Sequence, residues 1–415
     1  MEKICVMGMG YIGLPTACML ANNGYDVLGV DVDNDIISKL SNGQLHIEEP
    51  ALEDVFQKAI KDHRLKISGK VEKSDIYIIA VPTPINKNNK ADLSYVISAS
   101  VMIKDHISKG NMVILESTSP PGTTRKVVGE IISKGSGLEA GKDFYLAFCP
   151  ERVLPGKIIY ELVNNKRVIG GLNEKSSEIA KEVYGSFVKG DIYLTTLETS
   201  EFVKLAENTF RDVNIALANE FAEICQTYDV NIWDMIKFAN MHPRVNILNP
   251  GPGVGGHCIA IDPWFILENI DKKDTLIEKS RKINNSRPFN ISEKIFDIIK
   301  DIQNPKVTIF GITYKENVGD IRESPALEII KELDKKAVIV SVYDPLAANY
   351  KGRLSDIEEA LKDSDMLLLF VGHDHFKKIS LEKIATLMRT KNVFDTRNFY
   401  SSDLVKNLDF KYFSI

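Results

Sequence analysis

The sequence predicts an α/β protein in which two Rossmann-like, doubly wound domains are joined by a long central helix. Three observations carry this reading. The first third alternates β-branched apolar runs with helical segments and opens on a glycine-rich turn. Helical periodicity then runs unbroken from about residue 199, and the last third returns to strand and helix with a glycine and an acid in the same places as the first.

Taken in order, residues 3–7, 25–30, 76–81 and 112–115 are short apolar runs that read as buried parallel strands, with crossover helices over 14–22 and 93–107. A further strand, 144–148, leads into Cys149-Pro150-Glu151-Arg152. From residue 199, Val203, Ala206, Phe210, Val213, Leu217, Phe221, Ile224 and Tyr228 recur every three or four positions, giving one helix of about seven turns with a continuous apolar stripe. Such a stripe suits a spine between domains or subunits, and it equally suits packing on the chain's own core. A Pro/Gly-rich loop over 249–258 interrupts the helices. Strands then follow at 306–310, 337–343, 366–370 and 392–394. Gly311 after the first of these and Asp344 after the second repeat the placing of Gly8 and Asp31. The chain thus divides into 1–198, 199–300 and 301–415.

Composition bounds the function. The 415 residues carry 52 Lys+Arg against 57 Asp+Glu, a formal charge of -5, so no general field draws the protein to nucleic acid or to an anionic membrane. Any anionic ligand must be held by local cations. Five scattered cysteines fit a reducing compartment rather than a disulfide framework. The apolar stretch over 4–21 imitates a leader peptide, but Gly8, Gly10, Gly13 and Pro15 break it as a turn would, and no run approaches the roughly 20 apolar residues of a membrane span. The expected location is the cytoplasm.

Gly8-Met9-Gly10-Tyr11-Ile12-Gly13 follows a strand and opens a helix, and Asp31 closes the next strand. Gly8 makes the tight turn, Gly10 admits a pyrophosphate to the backbone, and Gly13 lets helix pack on strand. An acid at 31 accepts hydrogen bonds from ribose hydroxyls and repels a 2′-phosphate, which favours NAD over NADP. Cys258 stands apart from the other cysteines, which fall in strands and helices where a thiol simply packs. It lies in the glycine loop beside His257 with Asp262 four residues on, the setting of a nucleophile. A metal held by His257, Cys258 and Asp262 lacks any CxxC or HxxxH partner, and no metal is expected. Lys204, Asn208 and Arg211 share one face of the long helix, a spacing that by itself describes a solvated surface.

Eight ordered motifs then resemble the nucleotide-sugar 6-dehydrogenases over essentially the whole chain: GMGYIGLP at 8–15, VPTP at 81–84, ESTSPPGT at 116–123, CPERVLPG at 149–156, EFVKLAENTFRDVNIA at 201–216, HPRVNIL at 242–248, GPGVGGHCIAIDPWF at 251–265 and GITYKENVGDIRESPA at 311–326. The resemblance implies oxidation of the C6 alcohol of a UDP-sugar to a uronate with two NAD, through a thiohemiacetal and a thioester on Cys258. It further implies that Lys204, Asn208 and Thr118 handle the oxygen and its proton while Asp262 and Glu151 assist hydrolysis. Tyr11, Ile12, Asp31, Thr83, Thr118 and Arg322 match cofactor positions. Arg152, Val153, Lys204, Asn208, Arg211, His242, Arg244, Gly253, Tyr314, Lys315 and Arg397 match positions lining the UDP-sugar. By the same resemblance the first segment is the NAD domain, the middle one the helical dimerisation segment with the cysteine loop, and the last the UDP-sugar domain, with Arg244 acting across a homodimer or higher oligomer.

Within the family, GGHCIAIDP and CPERVLPG resemble the branch acting on UDP-N-acetyl-D-mannosamine, for surface polysaccharide synthesis. The branches acting on UDP-GlcNAc or UDP-GalNAc typically carry proline where Ala260 stands, and the glucose branch carries glutamate at Pro155. Gly319 departs from a common aspartate. A rival from another class, a non-catalytic NAD- or nucleotide-sugar-binding regulator, has no need of Cys258, Lys204, Asn208 and Asp262 together.

Overall fold

The computed structural model describes residues 2–354 and 356–415, leaving out the side chains of His257, Ser402 and Lys406. Among the described residues the strands form two sheets. The first holds β1 (Lys3–Met7), β2 (Asp26–Val30), β3 (Leu65–Ser68), β4 (Ile76–Ile79), β5 (Met112–Leu115), β6 (Tyr145–Phe148), β7 (Arg167–Gly171) and β8 (Ile192–Thr196), in the order β3-β2-β1-β4-β5-β6-β7-β8. The second holds β9 (Lys306–Phe310), β10 (Ile339–Tyr343), β11 (Arg353–Leu354), β12 (Met366–Leu369), β13 (Asn392–Asp395) and β14 (Lys411–Ser414), in the order β11-β10-β9-β12-β13-β14. The fold class is the predicted one: α/β, with two parallel-sheet domains and a long central helix.

Period-two alternation builds both cores. In β1, Ile4 and Val6 join the core on one face of the sheet while Cys5 and Met7 join the core on the other. In β12, Met366 and Leu368 face one core, and Leu367 and Leu369 the other. Strand order reverses between β1 and β4 and again between β9 and β12, so each sheet has a switch point at which loops splay apart and a crevice opens.

The first sheet departs from a wholly parallel one, because β7 runs antiparallel to β6, with Ala147 opposite Gly171, and β8 then runs parallel to β7. Neither β7 nor β8 announces itself in the sequence. Arg-Val-Ile-Gly-Gly sets a charge and two glycines where apolar side chains are expected, and β8 is a sheet edge with Tyr193 and Leu194 exposed. The strands β3, β11 and β14 are short edges and equally silent.

By its internal contacts the chain separates into two bodies. One runs to Glu207 and includes Trp264–Ile270; the other holds Asn208–Pro263 and Asp271–Ile415. Helix Leu197–Thr227 contributes residues to each. Its apolar stripe is packed on the chain's own core only in part: Phe221 meets the cluster of Ala222, Cys225, Ile232 and Ile236, whereas Phe210 is 56% exposed, Leu217 40% and Ile224 46%. The buried face is instead largely polar. Glu201 accepts hydrogen bonds from the Gly122 N–H at 2.6 Å and the Thr124 N–H at 2.8 Å. Further along, Asp212 is ion-paired with buried Arg281 and accepts from Asn284 Nδ2 at 2.8 Å. Asn219 Nδ2 donates to Asn284 Oδ1 at 2.9 Å, and Glu223 pairs with Arg287 at 2.7 Å. Arg281, Asn284 and Arg287 all lie on helix Leu276–Ile299, so the two helices are matched by polar register.

Asp212→Ala should destabilise the C-terminal body by about 3–5 kcal/mol, since it strands the Arg281 guanidinium without its counter-charge. Chemical denaturation checks this, and a loss below about 1 kcal/mol would remove the pair from the list of interactions that hold this body together.

Candidate functional site

In the N-terminal body the glycine turn lies where β1 meets the helix Gly13–Asn22. The Gly8 N–H donates to Val30 O at 2.8 Å, and the Met9 N–H donates to Asp31 Oδ2 at 2.8 Å, so the acid that closes β2 also fixes the turn after β1. A Cβ on Gly13 would stand 1.8 Å from the Gly8 carbonyl oxygen, which only glycine permits, whereas a Cβ on Gly10 would meet nothing within 4 Å. That open approach beside a helix N-terminus is what a pyrophosphate needs, and the residues present fit NAD. Thr83 and Thr118 follow β4 and β5 and are joined by a hydrogen bond from the Thr83 hydroxyl to Thr118 O. Gly8, Gly10, Tyr11, Ile12, Gly13, Asp31, Thr83 and Thr118 therefore gather at the C-terminal ends of β1, β2, β4 and β5, about the switch point. Arg322 lies in the other body, exposed and paired with Asp320 at 2.6 Å.

Beyond β6 the chain enters a buried polar cluster that sequence reasoning found only in part. Glu151 is ion-paired with buried Arg167, whose guanidinium lies 4.7 Å from the centre of the Tyr184 ring. The Tyr184 hydroxyl donates to Glu116 Oε1 at 2.6 Å. Burial, reinforced by the neighbouring Glu151 charge, pushes the Glu116 carboxyl up to about 8. Arg152 pairs with Glu207 at 2.6 Å. The loop after Val153 is tethered by Glu49, whose carboxylate accepts from the N–H groups of Gly156 at 2.8 Å and Ile158 at 2.7 Å. Glu49 thus fastens the loop in which Pro155 stands. Lys204 also belongs to this body; at 9% exposure it is buried, as is Asn208 at 1%, so the two are not on a solvated face.

The C-terminal body carries the cysteine. The glycine loop ends at Gly256 and helix His257–Leu267 begins at once, which corrects the expected loop position and places Cys258 in a helical first turn. Cys258 is exposed, while Cys5, Cys18, Cys149 and Cys225 are buried. Burial pushes the thiols of Cys5, Cys18 and Cys149 up to about 12. Asp262 is one helical turn from Cys258, buried, and accepts a hydrogen bond from Asn208 Nδ2, while Arg211 donates to Asn208 Oδ1. The His257 side chain lies outside the described residues, and among those described no group of three metal-ligating side chains forms.

At the switch point between β9 and β12, a cavity of about 380 Å³ is lined by Tyr314, Lys315 and Arg397, together with Trp233, Asn249 and Lys377. Arg397 Nε donates to Phe370 O at 2.8 Å. The cavity unites three of the expected substrate positions. Gly253, with φ at +141°, packs against Pro325 and Pro288 in the same body, and His242 and Arg244 are exposed on the segment after helix Ile232–Ala239. A Cβ on Gly319 would fall 2.8 Å from the Leu346 carbonyl, so the backbone here leaves no room for the aspartate common elsewhere. Trp233 and Asn249 gave no signal in the sequence, since they reach the cavity only through tertiary folding.

Family models match three successive segments: the NAD binding domain of the UDP-glucose/GDP-mannose dehydrogenase family over residues 2–188, its central domain over 198–286 and its UDP binding domain over 308–402. A UDP-N-acetyl-D-mannosamine dehydrogenase of Methanococcus vannielii is 48% identical, with 99% of this chain and 96% of the relative covered. An NDP-N-acetyl-D-galactosaminuronic acid dehydrogenase of Ralstonia nicotianae is 40% identical over 97% of each. The solved structure of a UDP-D-ManNAc dehydrogenase from Pyrococcus horikoshii superposes with a TM-score of 0.93 at 40% identity, covering 100% of this chain and 99% of that one.

Because the native state holds the Glu116 proton more tightly than the unfolded chain does, stability falls as pH rises from the ordinary carboxylate range through about 8. The cost is about 1.4 kcal/mol per pH unit across that window. Glu116→Gln keeps an acceptor for Tyr184 and needs no ionisation, so it should raise the melting temperature more at pH 9 than at pH 6. Equal effects at the two pH values would show that Glu116 is already ionised at neutrality.

Proposed function

The chain belongs to the UDP-glucose/GDP-mannose dehydrogenase family, and from that premise we propose that it oxidises the C6 alcohol of UDP-N-acetyl-D-mannosamine to UDP-N-acetyl-D-mannosaminuronate, with Cys258 as the nucleophile. The observation that carries the mechanism is the contrast among the thiols: one is exposed on the first turn of a helix beside a buried carboxylate, and the rest are buried. The substrate assignment is supported by end-to-end similarity to proteins that act on UDP-N-acetyl-D-mannosamine and by Ala260 and Pro155. The division into an NAD domain at 1–198, a central segment at 199–300 and a UDP-sugar domain at 301–415 is part of the same reading.

The C6 alcohol loses a hydride and a proton to give an aldehyde. The Cys258 thiolate adds to the carbonyl carbon, forming a C–S bond, and the thiohemiacetal loses a second hydride and a proton to become a thioester. Water then adds, the C–S bond breaks, and carboxylate and thiol are released. Bound NAD supplies the hydride acceptor at both oxidations. The first turn of a helix carries partial positive charge that favours the thiolate. The Lys204 ammonium stabilises the oxyanions, Thr118 helps to hold the oxygen or water, and Asp262, oriented by Asn208, takes the hydrolytic proton with help from Glu151. Arg152, Val153, Arg211, His242 and Gly253 line the sugar. Tyr314, Lys315 and Arg397 hold the UDP moiety, which answers how a chain of formal charge -5 binds a diphosphate. By the family resemblance Arg322 is a further cofactor-contacting residue.

The exposed stripe of Phe210, Leu217 and Ile224 supports a homodimer with Arg244 serving the neighbouring subunit's site. Among the described residues no helix is long and apolar enough to cross a membrane, and the reading places the enzyme in the cytoplasm, as the scattered, odd number of cysteines favours a reducing compartment.

Three measurements test this reading. NADH counted at 340 nm against UDP-ManNAc, UDP-GlcNAc, UDP-GalNAc and UDP-glucose should give two NADH per UDP-ManNAc and little from the rest; two from another sugar would keep the mechanism and change the substrate. Cys258→Ser should lower kcat by at least about 1,000-fold while NAD and UDP-sugar binding persist, and a variant with full rate would end the thioester route. Replacing Phe210 and Leu217 by glutamate should shift the protein to monomer in sedimentation velocity; an unchanged mass would place the interface elsewhere.

A further inference from the structure

His373, four residues beyond β12, is fully buried and belongs to none of the expected catalytic or binding positions. Its ring is held at both nitrogens. Nδ1 accepts the Asn317 N–H at 2.9 Å, which requires the ring proton to sit on Nε2. Nε2 lies 3.2 Å from Thr313 Oγ1 and 3.3 Å from Asp344 Oδ2. The Thr313 hydroxyl donates onward to Lys315 O at 2.8 Å, and Asp344 Oδ2 accepts from the Ile312 N–H at 2.7 Å. Asn317 then exchanges two hydrogen bonds with Asp374, at 2.9 and 3.0 Å. One imidazole therefore gathers the backbone from Ile312 to Asn317.

That loop has two faces of consequence. Tyr314 and Lys315 line the cavity at the switch point of the second sheet. The Tyr314 side chain also lies directly against the glycine turn ahead of Cys258: a Cβ on Gly255 would stand 3.0 Å from Tyr314 Cβ, and one on Gly256 would stand 2.9 Å from Tyr314 Cδ2. Gly256 has φ at +78°, so the turn is fixed by close approach as well as by conformation.

We propose that His373 is a positioning residue that clamps loop 312–317, setting Tyr314 and Lys315 against the nucleotide and, through Tyr314, the Gly255–Gly256 turn that presents Cys258. This rests on reading the cavity as the UDP site. The imidazole itself touches no substrate. It supplies an acceptor and a donor on opposite sides of one ring, which aliphatic side chains cannot do.

The test measures UDP binding by isothermal titration calorimetry, together with kcat and KM for the UDP-sugar and for NAD, on the full chain. His373→Ala should weaken UDP and raise the UDP-sugar KM by about tenfold, as expected for a lost hydrogen-bond hub, while the NAD KM stays within about twofold. His373→Asn, which returns an acceptor to the Asn317 N–H, should recover part of the UDP affinity. If the alanine variant does not fold, His373→Gln carries the same expectation, because it keeps a donor and offers no acceptor where Nδ1 stands. A folded alanine or glutamine variant with wild-type UDP affinity and KM overturns the inference alone. Wild-type protein that binds no UDP overturns the cavity reading, and the inference with it.

Discussion

Every parallel strand ends by releasing its neighbours' peptide groups into the crevice at its C-terminal edge, and those groups need partners if the loops are to hold a shape. Here carboxylates at the strand ends supply them. Asp31 after β2 accepts the Met9 N–H of the first glycine turn, and Asp344 after β10 accepts the Ile312 N–H of the turn after Gly311. Asp395, which closes β13, accepts the N–H groups of Arg397, Phe399 and Tyr400 at 2.7–3.0 Å. The two bodies thus solve the same backbone problem in the same way. An aspartate that reads in sequence as a ribose ligand is first a structural brace, with lone pairs to spare for a ligand.

The long helix shows the converse of ordinary patterning. A helix of a single-chain globular protein buries its apolar stripe and exposes its polar face. Helix Leu197–Thr227 buries Asp212, Asn219, Lys204 and Asn208, and leaves Phe210, Leu217 and Ile224 exposed. The polar face is affordable because Arg281, Asn284 and Arg287 meet it with complementary groups. Periodicity revealed the helix and its length, yet it said nothing of which face meets the chain's own residues, because that depends on a partner helix some 65–70 residues on.

The same boundary between local and distant information runs through the rest of the molecule. The strands β1, β2, β4, β5, β9, β10, β12 and β13 are legible because each is apolar on both faces; β7 is not, because its Arg167 is buried only by pairing with Glu151 and stacking on Tyr184. Of the proposed site, the glycines and Cys258 were read from turn chemistry, which put Cys258 in a loop rather than in its helical first turn, and Tyr314, Lys315 and Arg397, which line one cavity, from motif resemblance. Glu116, Glu49 and His373 were not. Each acts through backbone or side-chain partners between 30 and 110 positions away, and such pairing leaves no local pattern to read.

Burial, more than residue type, separates the environments of otherwise equivalent groups. Cys149 sits within hydrogen-bonding reach of a guanidinium, 3.6 Å from Arg167 Nη1, which alone would favour a thiolate. Its desolvation outweighs that cation and drives the thiol up to about 12. A positive neighbour therefore does not make a nucleophile where water is excluded and the cation is already committed to Glu151. Cys258 has different circumstances: it is exposed and lies on the first turn of a helix, where the backbone dipole places partial positive charge. The two cysteines differ by environment alone, and the sheet that buries one and the glycine turn that presents the other are consequences of the same fold.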